Sequence, residues 1–243
     1  MSEHVREGLL RRIEENIATH GHHTTLVKQS VVPRFAYTIG MTDRHLPELI
    51  LAGAIGYGGD DVGKIINSIG DSMKRGKSVE SAFAVDPLGV FSLQRVGRSW
   101  MRPLMLGAAQ RYGDDKYDAV QIVPDRQHST LDTPNLASEA GPLKDCVWMW
   151  LCREWPYAVP SDALVVTNMK FLRGERATEV ARWEEAECEM FAGPGPDVAP
   201  GEMRIVPIGT ALGIDRTLEW ILTLPVGKGG WRDGEAGDWQ PWQ

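Results

Sequence analysis

The stretch Phe35-Ala36-Tyr37-Thr38-Ile39-Gly40-Met41, followed by His45-Leu46-Pro47-Glu48-Leu49-Ile50, constrains the fold more than any other part of this chain. Its two short apolar runs, bounded by Pro33, Gly40 and Gly53, read as strands. A phenol, a hydroxyl, an imidazole and a carboxylate interrupt them within the twelve residues from Tyr37 to Glu48. Tyr37 and Thr38 alternate across their strand, so one faces the core and the other the opposite side. A buried Tyr37 hydroxyl needs a partner, which His45 or Glu48 can supply. As chemistry, Tyr37, Thr38, His45 and Glu48 could supply a general acid–base site. As structure, they hold a turn together, and that reading is favoured.

The surrounding pattern mixes helices and strands. Val5, Leu9, Ile13 and Ile17 recur on one face ahead of Gly21, which predicts a leading helix. His22–Lys28 is rich in β-branched residues and pairs with Phe35–Ile39 as a hairpin with a long connection; Pro47–Ala52 is a third strand. Gly56-Tyr57-Gly58-Gly59 runs into Asp60-Asp61 and an amphipathic helix carrying Val62, Ile65, Ile66, Ile69 and Met73. Val79–Val85 and Gly89–Val96 predict strands, Trp100–Tyr112 a helix, and Ala119–Val123 a strand closed by Pro124-Asp125. Further on come a strand at Ala163–Thr167, a hairpin ending at Met190–Gly193, a strand at Arg204–Ile208 and a short helix capped by Asp215. Without a regular βαβ repeat, the expected class is α+β, a mixed or antiparallel sheet with flanking helices followed by a smaller β-rich module. Residues 126–143 are polar and rich in Pro, Ser, Thr and Asn, so they read as an exposed loop or linker between a domain at 1–136 and a module at 145–243.

Charge narrows the partners. Residues 1–150 carry 18 acidic and 17 basic side chains, whereas 151–243 carry 15 and 9, a net of −6. An acidic surface repels phosphate backbones, and no Lys/Arg cluster is interleaved with aromatics, so nucleic acid is not the expected partner. No apolar run reaches the roughly 20 residues of a membrane span, and the N-terminus shows no signal peptide, so cytoplasmic residence is expected. Cys146, Cys152 and Cys188 match no metal spacing and are expected as reduced, mostly buried thiols.

Other candidate chemistry is weaker. His20, His22, His23 and His45 with Glu48 could ligate a metal, but no pair has helical ligand spacing and His22 and His23 point to opposite faces of a strand. Neither a metal nor a cofactor is therefore expected. Asp125 ends a strand that also carries Gln121 on the same side, which suits a pocket shared with Tyr37 or an Asx turn. The Gly53–Gly59 loop lacks a phosphate-binding signature and reads as a loop. Eight of nine tryptophans fall after residue 147, and the terminal Trp231, Trp239 and Trp242 are the best placed for contact with a partner.

The leading helix ending in His20-Gly21-His22, Phe35–Gly40, His45–Leu49, Gly76 and Val120–Asp125 together resemble a bacterial family, domain of unknown function 4262, over about residues 8–136. The resemblance implies a fold but no established activity. From about residue 145 onward, the Ala163–Thr167 strand and the Cys188–Gly193 end are weakly similar to small β-rich modules of bacterial immunity-type proteins. The expected function is that of a non-enzymatic binding protein for a protein partner or small ligand, in bacterial or phage conflict. The alternative is a small-molecule or metal-dependent enzyme with its site at the Phe-Ala-Tyr-Thr-Ile-Gly strand.

Overall fold

The computed structural model describes residues 3–193, 198–234 and 237–242, with side chains from residue 7 onward. Its apolar runs form two six-stranded mixed sheets, an α+β architecture. In the first, β2 (Phe35–Ile39) lies antiparallel between β1 (His23–Val27) and β3 (Glu48–Ala52). β3 runs parallel to β6 (Ala119–Pro124), and β5 (Gly89–Arg95) and β4 (Phe83–Val85) complete the order β1-β2-β3-β6-β5-β4.

Period-two alternation sorts the side chains of β2 and β3 onto two covered faces, which is why both strands are buried throughout. Ala36, Leu49 and Leu51 pack on Ile65, Ile66 and Ile69 of α2 (Gly59–Lys74). Phe35, Tyr37, Ile39 and Ile50 meet Trp100 and Leu104 of α3 (Arg98–Leu104) and Ala108 of α4 (Leu106–Tyr112), with Ile13 and Ile17 of α1 (Glu3–His20) alongside.

The second sheet runs β10 (Met203–Pro207), β7 (Leu164–Asn168), β9 (Glu187–Ala192), β8 (Ala177–Arg182), β11 (Lys228–Trp231) and β12 (Gln240–Pro241). Only β7 and β9 are parallel. The helix α5 (Met169–Leu172) follows β7, and one sheet face packs Val165, Val180, Met190 and Val206 against α6 (Ile208–Ile214) and the 3₁₀ helix Arg216–Thr223. Asp215 caps that 3₁₀ helix, accepting from Thr217 N.

The two cores are joined. Trp148 and Trp150 lie in the core of the first sheet, while Trp155, Tyr157 and Ile214 touch both cores. The backbone of Leu131 also donates to the carbonyl of Leu172.

Three expectations need correction. The strand at Val79–Val85 shrinks to Phe83–Val85. The Trp100–Tyr112 helix is two helices that part at Met105 (φ −119°, ψ 47°), and Gly107 N of the second donates to the Tyr37 hydroxyl. Cys146 and Cys152 are exposed rather than buried, because both sit at the rim of the loop that carries the buried Trp148 and Trp150; Cys188 alone is buried. No helix among the described residues is long and apolar enough to cross a membrane.

Candidate functional site

Most of the residues singled out in the sequence work as scaffold. Glu48 is wholly buried, and its carboxylate accepts three hydrogen bonds: from Thr38 Oγ1 (2.5 Å), Gly40 N (3.1 Å) and Thr42 N (3.0 Å). Thr38 Oγ1 in turn accepts from Leu49 N (2.8 Å), so the hydroxyl stands in for a ladder carbonyl where β2 and β3 part. Gly40 adopts φ +116°, and a Cβ there would come within 2.8 Å of Ile17, which accounts for the glycine that ends this strand.

Tyr37 points to the opposite face. Its hydroxyl accepts from Gly107 N (3.0 Å) at the start of α4, one of the donors a helix N-terminus leaves without an internal partner. His45 is exposed, with φ 58° at the end of the turn Thr42–Arg44. Tyr37, Thr38 and Glu48 thus pack into closed interior on either side of the sheet, and His45 faces solvent.

Gln121 is buried, donating to Pro134 O (2.7 Å) and accepting from Leu136 N (3.1 Å), so it pins the following loop to β6. Asp125 accepts from Val90 N (2.9 Å), Gln127 N and His128 N, and lies 2.8 Å from His128 Nδ1. These bonds, led by the one from Val90, hold its carboxyl below the usual range. Among the distal tryptophans, Trp231 is exposed, Trp239 stacks on Trp220 and Trp242 contacts Trp183. His22 is buried against Asn67 and Lys74, and His23 meets Asn16. Among the described residues no group of three His, Cys, Asp or Glu could hold a metal ion.

A large open concavity lies elsewhere, beyond the C-terminal end of β3. It is a cleft of about 910 Å³ between the sheets, floored by Ile55–Gly58 ahead of α2 and walled by Arg34, Lys28, Arg204 and Ile205. Crevices at the carboxyl ends of parallel strands are where open α/β sheets commonly receive ligands. The loop is shaped from behind by Asp132. A Cβ on Gly53 (φ +70°) would meet the Asp132 carbonyl at 2.2 Å, and Ala54 follows at φ 59°. Asp132 Oδ2 accepts from Ile55 N (3.1 Å), and its other oxygen accepts from Thr130 (2.5 Å).

Three cations and one acid, Asp61, line this cleft. Arg204 is satisfied by the carbonyls of Gly201, Met203 and Gly56, so it ties the second sheet to the loop. Arg34 is not. Its Nε and Nη2 are buried and have no hydrogen-bond partner among the described residues, and no ion pair engages it. Burial lowers its guanidinium from the ordinary value, with only the field of Asp132 and Asp61 acting against that. Tyr57 completes the floor; it donates to Leu88 O (2.9 Å) and stacks on His128 at 6.0 Å. Of the sequence candidates only Asp125 is near this cleft, through His128 and Tyr57. A lone arginine between strands and a second one far along the chain carry no periodic signal, so sequence reasoning missed Arg34 and Arg204.

Asp132 gives the cleft a pH signature. Full burial pushes its carboxyl up from 3.8 to about 6. The native state therefore binds the extra proton between these values, and stability present below pH 3.8 is lost as the pH rises through 6. The expected loss is on the order of 3 kcal/mol. In urea titrations from pH 4 to 7, wild type should lose this stability relative to Asp132→Asn. Parallel curves for the two proteins would contradict the assignment.

The cleft draws its floor from the first half of the chain and part of one wall from the second. No curated protein and no solved structure matches this chain. Residues 16–130, which hold all of the first sheet and the loop that floors the cleft, match the model of the family described as Domain of unknown function (DUF4262).

Proposed function

We propose that the protein is a binding protein whose cleft between the sheets takes a small molecule bearing an oxyanion, a carboxylate or a phosphate. The observation that carries this reading is Arg34, whose Nε and Nη2 are buried without an acceptor. A buried donor left unmade costs about 1–3 kcal/mol, more for a charged group. Arg34 lines the cleft, and a side-chain rotation that turns Nε and Nη2 toward a carboxylate or phosphate gives this fork the acceptors it lacks. Lys28, exposed at the mouth, and Arg204 add positive charge that attracts the same group. The exposed side chains of Leu26 and Ile205 supply apolar wall for the rest of the ligand.

Catalysis at the Phe-Ala-Tyr-Thr-Ile-Gly strand draws no such support. Tyr37, Thr38 and Glu48 spend their polar atoms on backbone and on one another, away from any substrate.

Calorimetric titration with inorganic phosphate, sulfate and citrate tests the proposal. Wild type should bind at least one of them saturably, more weakly as salt rises, and Arg34→Met should lose about tenfold or more in affinity. Equal binding by both proteins, or none by wild type, would refute it.

A further inference from the structure

The second sheet has one face packed on α6 and one face open. On the open face, alternation brings Glu179 and Ala181 of β8 beside Phe191 and Glu189 of β9, paired in that order. Trp231 of β11 lies opposite Glu179, and Gly229 opposite Ala181. The small residues leave room above them: the Trp242 ring lies where a Cβ on Gly229 would come within 2.7 Å. Trp242 sits 6.0 Å from Trp183, centroid to centroid, with the rings tilted at 46°. Together with Glu179, Glu189 and Phe191 these two rings line a depression of about 280 Å³. Trp183 is 47% exposed and Trp231 is 39% exposed.

The charge of this face is one-sided. From Glu179 to Glu189 the sequence carries five glutamates against the single base Arg182. Arg182 is committed to the carbonyl of Leu224, and Arg204, beyond Met203, to carbonyls as described. Neither Glu179 nor Glu189 has a hydrogen bond or ion pair from its side chain among the described residues. Half-buried carboxylates without cations, set beside exposed indole rings, are unfavourable company unless a cation arrives. A guanidinium fits both at once, stacking on an indole face while its edge donates to a carboxylate.

We infer that this open face is a docking surface for an arginine-bearing basic segment of a partner protein, with one arginine side chain stacked on the exposed face of the Trp183–Trp242 pair and bonded to Glu179 or Glu189. Trp231 provides the apolar rim beside the pocket, in the manner of aromatic anchors at other interfaces. This surface adjoins the oxyanion cleft at Met203, which lines both, but the groups that would bind the arginine are not those of the cleft.

The test is tryptophan fluorescence titration of the full chain at physiological salt with three short peptides, one arginine-rich, one lysine-rich of equal charge and one acidic. The arginine peptide should bind, and the lysine peptide should bind about tenfold more weakly because it lacks the stacking fork. Trp183→Ala, and separately Glu179→Gln with Glu189→Gln, should each weaken arginine-peptide binding about tenfold. Both changes sit on the open face, and circular dichroism checks that the fold is kept. Arg34→Met should bind the arginine peptide as wild type does. Equal affinity for the two basic peptides, binding untouched by the variants, or no binding at all would overturn the inference.

Discussion

Replacing Glu48 with alanine is expected to destabilise the protein by on the order of 4 kcal/mol, a large share of the stability of a typical domain. The carboxylate is fully buried and accepts from the Thr38 hydroxyl and from the backbone of Gly40 and Thr42. Truncation strands all three donors in a dry interior, at about 1–3 kcal/mol each, and opens a cavity besides. It also frees Thr38 Oγ1, which orients itself to receive Leu49 N, so the splay between β2 and β3 loses its anchor. Glu48→Gln keeps the shape and one acceptor, and should cost less than half as much. Urea midpoints of the two variants measure this directly. A loss below about 1 kcal/mol for the alanine variant would mean that the turn is held by something else.

Trp148→Ala should be comparably severe, at about 3–5 kcal/mol. The indole is completely buried, meets Phe35 edge-on at 6.1 Å and donates to the Asp132 carbonyl (2.9 Å). It therefore closes the first sheet's core and supports the loop that shapes the cleft. Trp148 lies outside the family match, which ends at residue 130. A fragment ending before residue 145 would leave this core open and should not fold stably. Trp148→Phe, which keeps the ring but not the hydrogen bond, should recover most of the loss. Equal stabilities for wild type and the alanine variant would sink this view of the core.

Where side-chain periodicity carried the information, the fold was legible. The amphipathic run Val62–Met73 is the helix α2, and the hairpin through Phe35–Ile39 pairs as expected. The misses have physical reasons. Residues 208–214 form a helix despite Gly209, Thr210 and Gly213, because tertiary burial outweighs weak propensity; with residues 208–212 all buried, no polar face marks it. β11 is Lys-Gly-Gly-Trp, and its glycines exist to admit the rings of Trp220 and Trp242, a requirement invisible along the chain.

The site was less legible than the fold. The polar residues of Phe35–Glu48 stood out because buried polar groups are conspicuous in an apolar pattern, yet each is satisfied within the scaffold. What marks the cleft is the opposite condition, a cation left without an acceptor. That condition exists only once β10 has brought Arg204 and Ile205 against the Gly56 loop.

The decisive measurement is thermal unfolding of wild type and Arg34→Met, each without oxyanion and with excess phosphate. Arg34→Met should melt at or above wild type in phosphate-free buffer, because an apolar chain of similar length replaces a buried charge that lacks compensation. Phosphate at a hundredfold excess over the wild-type Kd should then add about 2.7 kcal/mol of stability to wild type and no more than about 1.4 kcal/mol to the variant, whose affinity is at least tenfold lower. A variant that is less stable without phosphate, yet gains as much from it as wild type does, would contradict the assignment of Arg34 as the oxyanion-binding group.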